Sequence, residues 1–120
     1  MIDHIILKVS DLEASRAFYE KTLAPLGFKV VMELPKGVAF GVEKPELGIA
    51  EGEPVHTGVH LALTSPDRNT VNAFHQAGLQ AGGRDNGPPG LRAQYHSDYY
   101  GAFLLDPDGN NIEAVCHRPE

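Results

Sequence analysis

The sequence predicts an α+β fold built from two copies of one unit, in which a strand and a helix are followed by three strands. Three observations predict it. The chain repeats itself at an offset of 56 residues, which aligns Asp3–Lys8 with Val59–Thr64 and Phe18 with Phe74. Each copy opens with alternating apolar residues, the pattern of a half-buried strand. Each of these strands is followed by apolar residues at helical spacing.

The first copy begins with a strand and a helix. Ile5, Leu7 and Val9 alternate with more polar residues, which predicts a strand with one buried face. The segment Ser10–Glu13 has the spacing of a capping box with the serine as N-cap, and the helix is predicted to run to Leu23. Three strands are expected after it, over residues 27–34, 38–42 and 47–50.

The second copy follows a linker and repeats this order. Ser65 and Pro66 suit the N-cap and first position of a helix. Strands are expected over residues 92–96, 100–105 and 111–116, and the Gly- and Pro-rich segment before them is expected to be a loop. The chain is therefore interpreted as one domain over residues 1–120, with a first module at about 1–52, a linker at about 53–58 and a second module at about 59–118.

Composition narrows the function classes. With 42% hydrophobic and 22% charged residues, the chain is typical of a soluble globular domain. A net charge of −6 argues against a nucleic-acid partner, and short apolar stretches argue against a membrane span, so a small molecule is the expected partner. No signal peptide is evident at the N-terminus, which predicts a cytoplasmic protein. Cys116 is the only cysteine, so no internal disulfide is expected.

Three residues form a candidate metal site. His4 and His60 occupy equivalent positions at the start of the first strand of each copy, on its more polar face. Glu113 is the only acidic residue in an otherwise apolar final strand, where burial is costly unless the carboxylate is paired or binds a metal. Two imidazoles and a carboxylate are a common metal-ligand set. The alternative is that both histidines are hydrogen-bonded structural residues and that Glu113 faces solvent.

At this point the residues resemble a known family. The opening IDHIILKVSDLEASRAFYEKTLAPLGFKV, the restart GVHLALTSPDRNTVNAFHQAG and the ending YYGAFLLDPDGNNIEAVCH are similar to the vicinal oxygen chelate superfamily, which includes glyoxalase I, bleomycin-resistance proteins, fosfomycin-resistance proteins and extradiol dioxygenases. The resemblance implies paired βαβββ modules that form an open, cup-shaped mixed sheet with the helices outside. It also implies a homodimer that completes the cup, and a divalent metal inside it.

The resemblance assigns roles to individual residues. It implies that His4, His60 and Glu113 are the metal ligands, and it places a fourth glyoxalase I ligand near the end of the first module, where Glu51 is the nearest candidate. The ligand set suits Zn, Ni, Mn, Fe or Co. The implied function is that of a glyoxalase-like metalloenzyme of the lyase or isomerase type, with Glu113 and Glu51 as the catalytic carboxylates. Metal-bound hydroxide is an alternative base to Glu51.

Other residues are candidates for contact with the substrate. They are His96, Tyr99, Tyr100 and Phe103, which lie in or just before one predicted strand; aromatic side chains with polar ends suit a small-ligand pocket. Arg92 follows the Gly- and Pro-rich loop, which could act as a lid, and could recognise an anionic group. Ordinary packing and a solvated arginine are the alternatives.

Other functions within the family remain open. A metal-free binding protein similar to the bleomycin-resistance members is the main alternative to an enzyme. A ring-cleaving dioxygenase or a fosfomycin-type thiol transferase is ranked lower, because the former has a longer chain and the latter needs several cationic groups. The remaining candidates, His75 and His117, are expected to be surface residues.

Overall fold

The computed structural model describes residues 1–120 and confirms the α+β fold class. Its elements, in chain order, are β1 (Ile5–Val9), α1 (Leu12–Leu23), a 3₁₀ turn (Ala24–Leu26), β2 (Lys29–Leu34), β3 (Gly37–Gly41), β4 (Leu47–Glu51), β5 (His60–Thr64), α2 (Arg68–Gln80), β6 (Arg84–Leu91), β7 (Tyr100–Leu105) and β8 (Asn111–Cys116). Neither helix is long and apolar enough to cross a membrane.

The eight strands form two sheets of four with the same internal order. The first sheet runs β1-β4-β3-β2 and the second runs β5-β8-β7-β6. In each sheet the first and last strands of the module are parallel neighbours, and the other pairs are antiparallel. The repeat in the sequence thus corresponds to two βαβββ modules. Hydrogen bonding joins the strands into two separate mixed sheets within the chain, and no ladder links one sheet to the other.

Each sheet has one face covered by helix and one face free of it. Helix α1 packs against β2, β3 and β4, helix α2 packs against β6, β7 and β8, and the two helices contact each other. Sixteen buried residues from both modules form one core beneath the helices, including Leu7, Phe18, Phe74 and Leu104. The opposite side of each sheet, which carries no helix, is called its open face below.

Both helices begin later than the sequence suggests. The N-cap of α1 is Asp11, whose carboxylate accepts from the Ala14 amide, rather than Ser10. The N-cap of α2 is Asp67, which accepts from the Thr70 amide, rather than Ser65. The serine predictions were wrong because an aspartate nearer each helix supplies a carboxylate acceptor, which also interacts favourably with the helix dipole.

The Gly- and Pro-rich segment forms β6, and the strand predicted over residues 92–96 is a turn instead. As an edge strand, β6 pairs only with β7, and an edge position tolerates Pro88 and Pro89 because their missing N–H groups are not needed on the outer side. The pairing is irregular on both sides of Gly87, where the register shifts. The expectation of a loop and lid in this segment was therefore wrong.

The turn between β7 and β8 joins the two modules. The carboxylate of Asp106 is buried and accepts hydrogen bonds from the hydroxyl of Tyr19 on α1 and from the Asn110 amide and side chain. Asn110 in turn accepts from the Val59 amide and donates to the carbonyl of His56 in the linker. The turn segment of the sequence thus holds α1, the linker and the second sheet in a fixed arrangement.

Candidate functional site

Glu113 is a buried carboxylate that points toward the open face of the second sheet. Its neighbours along β8, Ile112 and Ala114, belong to the core, so the alternation of the strand directs Glu113 to the opposite side. The residue is 1% exposed and lies between Ala62 on β5 and Phe103 on β7. A carboxylate buried in this way needs strong partners.

His60 is one of those partners. It is the first residue of β5, and its Nε2 atom lies 2.9 Å from Oε1 of Glu113. Its side chain is 54% exposed and packs beside the ring of Phe103, with 6.1 Å between the ring centroids. The structure therefore brings together two of the three predicted metal ligands, and solvent reaches them through the imidazole.

His4 lies on the first sheet and does not join this pair. It precedes β1, its side chain is 55% exposed, and Nδ1 lies 2.7 Å from a carboxylate oxygen of Asp3. It lines a cavity of about 430 Å³ on the open face of the first sheet, together with Ile6, Met32, Leu34 and other residues. Within the chain, no three His, Cys, Asp or Glu side chains converge in a way that could hold a metal ion.

Glu51, the candidate fourth ligand and catalytic base, lies away from both histidines. It ends β4 and pairs in register with Val9, whereas His4 precedes the other end of β1. Val9 is buried in the core, so the register directs Glu51 to the helix-covered side of the sheet rather than to the open face. The structure does not bring Glu51 to His4, His60 or Glu113.

Tyr99 is the second partner of Glu113. Its hydroxyl donates to Oε2 of the carboxylate. Burial, followed by this hydrogen bond and the negative charge of Glu113, raises the pKa of Tyr99 well above its ordinary value, so the phenol stays protonated as a donor. Space for the contact comes from Gly101, where a Cβ atom would lie 3.1 Å from Oε2 and 3.2 Å from the Tyr99 ring. Sequence reasoning missed Gly101, since only the three-dimensional contact reveals its role.

Gly101→Ala is expected to disrupt the contact between Tyr99 and Glu113. The added methyl group would lie 3.1 Å from the carboxylate and 3.2 Å from the ring, so both must shift by a few tenths of an ångström, which is expected to weaken their hydrogen bond. The pKa of Tyr99 then falls toward its ordinary value, so titration followed by ultraviolet absorbance should show one tyrosine ionising at a lower pH than in the wild type. Gly48→Ala on the first sheet is the control, because its methyl group would lie 3.3 Å from the Ile6 side chain and 3.9 Å from the Ile5 carbonyl, and would meet neither Tyr99 nor Glu113. An unchanged tyrosine titration in Gly101→Ala would contradict the role of this glycine.

Phe103 and Arg92 extend the site along the open face. The ring of Phe103 lies between the imidazole of His60 and the guanidinium of Arg92, whose Cζ atom is 5.3 Å from the ring centroid. Arg92 is partly buried, and its Nη2 atom donates to the carbonyl of Pro88 at 2.6 Å. Both residues were singled out by the sequence, and the structure places them next to the His60–Glu113 pair.

Of the two other substrate-binding candidates, Tyr100 faces the helix side of the sheet, whereas the ring of His96 packs against that of Tyr99 with 5.5 Å between the ring centroids. Tyr100 alternates with Gly101 and is directed toward α2, where its hydroxyl donates to Asn72 and Arg68 lies over its ring. His96 is exposed, and its Nε2 atom lies 2.8 Å from Nδ1 of His117. The sequence did not predict this contact, because His96 lies in a turn and His117 follows β8.

His75 departs from its expected place at the surface. The residue is 7% exposed, and its Nε2 atom lies 2.9 Å from the carboxylate of Asp85 at the start of β6. Hydrogen bonds from the Gly87 amide and from His75 lower the pKa of Asp85. The prediction was wrong because β6 packs against α2, and this contact was hidden when the segment was interpreted as a loop.

Comparisons with known proteins bear on the family and the fold of the chain. Residues 1–114 match the family model described as the Glyoxalase/Bleomycin resistance protein/Dioxygenase superfamily. "Virulence protein STM3117" of Salmonella typhimurium is 30% identical, over 93% of this chain and 81% of the relative.

Solved structures are also similar. A glyoxalase/bleomycin resistance protein from Albidiferax ferrireducens T118 has a TM-score of 0.84 and 33% identity, and the match covers 99% of each chain. A lactoylglutathione lyase from Agrobacterium tumefaciens has a TM-score of 0.68 and 20% identity over 97% of this chain and 92% of its own, a likeness of fold alone.

Proposed function

Because the chain belongs to the glyoxalase/bleomycin resistance protein/dioxygenase superfamily, we propose that it is a glyoxalase-like metalloenzyme of the lyase or isomerase type that acts on a small oxygenated molecule. One observation carries the proposal: the buried carboxylate of Glu113 and the exposed imidazole of His60 meet at 2.9 Å on an open sheet face. An imidazole nitrogen and a carboxylate oxygen that converge in this way fit a divalent metal ion such as Zn, Ni, Mn, Fe or Co.

The metal would be held by His60 and Glu113, with His4 as the third ligand. A divalent ion bound there supplies Lewis-acid chemistry to substrate oxygens. Tyr99 orients the carboxylate of Glu113 through its hydroxyl, a contact of the kind that fixes metal ligands in many proteins. The ring of Phe103 supplies an apolar wall beside the imidazole.

We further propose that His4 comes from a second copy of the chain. His4 lies on the open face of the first sheet, and His60 and Glu113 lie on the open face of the second, so one chain does not unite them. Three large apolar residues around His4 are exposed to solvent: Ile6 by 51%, Met32 by 46% and Leu34 by 41%. An apolar surface of this kind is typical of a homodimer interface, and twofold symmetry would create two equivalent sites.

A metal-free binding protein is the second candidate function. It is favoured by the observation that both oxygens of Glu113 already have partners, His60 and Tyr99, so the carboxylate is satisfied by the protein alone. Its ligand would occupy the same open face beside Phe103.

Metal content separates the two functions. We expect untagged wild-type protein to bind about one equivalent of a divalent metal per chain and His60→Ala to bind it at least tenfold more weakly. Elemental analysis after equilibration with each metal makes the measurement, and His56→Ala is the control, since His56 accepts a backbone hydrogen bond from Lys8 away from the site. A wild type that binds no metal on titration would contradict the enzyme and favour the binding protein.

A further inference from the structure

Arg92 occupies a defined place on the open face of the second sheet. Its guanidinium lies over one side of the Phe103 ring, and the same ring contacts the imidazole of His60. A cation, an aromatic ring and the His60–Glu113 pair therefore follow one another along the face. Cation–π contact of this kind holds a guanidinium flat against the ring and partly removes it from water.

The backbone of β6 shapes the space around this guanidinium. The carbonyl of Pro88 accepts from Nη2 at 2.6 Å. A Cβ atom at Gly87 would lie 3.3 Å from Nη2 and 2.8 Å from the Phe103 ring, and one at Gly90 would lie 3.1 Å from Nη1. Two glycines thus leave room for an arginine that is held in one orientation. A guanidinium fixed in advance loses little entropy when it binds a ligand.

The charge of Arg92 has no carboxylate partner in the chain. By contrast, Arg16 forms a bidentate ion pair with Glu33, in which each Nη atom lies 2.8 Å from a carboxylate oxygen. The Nε atom of Arg68 lies 3.0 Å from a carboxylate oxygen of Glu120. The protein partner of Arg92 is the Pro88 carbonyl, so several of its five N–H donors remain available. An arginine that is positioned but unmatched in charge, next to a candidate site, has the geometry to bind an anion.

We propose that Arg92 binds a carboxylate of the substrate. The substrate would then be a short carboxylic acid that carries, apart from this carboxylate, two further oxygens on neighbouring carbons. The adjacent oxygens would lie at His60 and Glu113, the intervening carbons on Phe103, and the carboxylate on the guanidinium. The placement of the adjacent oxygens rests on the proposed function, whereas the carboxylate contact depends only on the second sheet. A single guanidinium matches the planar, singly charged carboxylate.

The test compares two probes that differ only in the remote carboxylate. 2-Oxoglutarate and 2-oxopentanoate share a keto acid group, but only the former carries a second carboxylate. Calorimetric titration of zinc-equilibrated wild type is expected to show tighter binding of 2-oxoglutarate by roughly tenfold to a hundredfold. Arg92→Gln should remove this preference and leave the affinity for 2-oxopentanoate unchanged. Arg92→Lys should restore part of it, and Arg84→Gln, at the far end of β6 from Arg92, should have no effect.

A second arm separates this proposal from the proposed function. Succinate, which lacks the keto group, is titrated into metal-free protein; binding that Arg92→Gln abolishes supports the carboxylate contact even if the wild type binds no metal. The proposal is overturned if the wild type binds neither 2-oxoglutarate nor succinate, if Arg92→Gln keeps the preference, or if inorganic phosphate binds more tightly than succinate through Arg92. It is also overturned if sedimentation shows that Arg92→Gln dissociates an oligomer, since Arg92 would then contact another chain.

Discussion

Asp106→Ala is expected to lower the free energy of unfolding by about 3–4 kcal/mol, because it leaves several buried donors without an acceptor. The carboxylate of Asp106 accepts from the hydroxyl of Tyr19 and from the amides and side chain around Asn110. Tyr19 and Asn110 are fully buried, so water cannot replace the lost acceptor. Burial and the negative charge of Asp106 raise the pKa of Tyr19 well above its ordinary value, so the hydroxyl remains a donor.

Because Asp106 connects both modules, the substitution is expected to lower the stability of both together. Tyr19 belongs to α1, whereas Asp106 lies in the turn between β7 and β8 and Asn110 binds the linker at His56. Urea denaturation followed by circular dichroism measures the change in the free energy of unfolding. Thermal unfolding should show a fall in melting temperature of roughly 10–15 °C. Tyr19→Phe removes one donor and should cost about 1 kcal/mol. Glu43→Ala, at an exposed position, should change stability by less than about 0.5 kcal/mol. Equal stability of Asp106→Ala and Glu43→Ala would contradict this role.

Much of the fold was predictable because the signals are local or repeated. The repeat identified two copies of one unit, and alternation placed β1 and β5, because one face of each strand meets the core, whereas the turn residues before and between them delimited β7 and β8. The N-caps were wrong by one or two residues, since Ser10 and Asp11 have similar capping chemistry and only backbone geometry decides between them. Strand β6 was missed because its glycines and prolines are typical of loops, and only its edge position allows them in a strand.

The candidate site was predictable only within one module. His60 was predicted from its place on the more polar face of its strand and Glu113 as the only acidic residue of an apolar strand, and the parallel pairing of β5 with β8 brings them together. The alternation of side chains along β7 directs Tyr100 to the helix side of the sheet, although the sequence predicts Tyr99 and Tyr100 as parts of one aromatic pocket. The position of His4 depends on how the two modules pack, and tertiary packing of this kind is absent from any local pattern.

A mixture of two inactive variants is expected to recover about a quarter of wild-type activity if His4 acts across a dimer interface. His4→Ala removes one ligand and Glu113→Ala removes another, so each homodimer lacks an intact site. In a mixed dimer, the chain that keeps His4 faces the chain that keeps Glu113 at one site, whereas the other site carries both substitutions. Random exchange makes about half of the dimers mixed, and each mixed dimer has one intact site out of two.

The measurement needs no knowledge of the natural substrate. Tightly bound metal per chain, determined after the variants are unfolded and refolded together, should likewise reach about a quarter of the wild-type value. The matched control is a mixture of His60→Ala with Glu113→Ala, which should recover nothing if both residues act from one chain, and about a quarter if they act from opposite chains. His60 and Glu113 meet at 2.9 Å within one chain. Each chain of this mixture lacks one of the two residues, so no dimer contains an intact pair. Recovery in the first mixture but not in the second therefore assigns His60 and Glu113 to one chain and His4 to its partner, and no recovery in either would contradict the shared site.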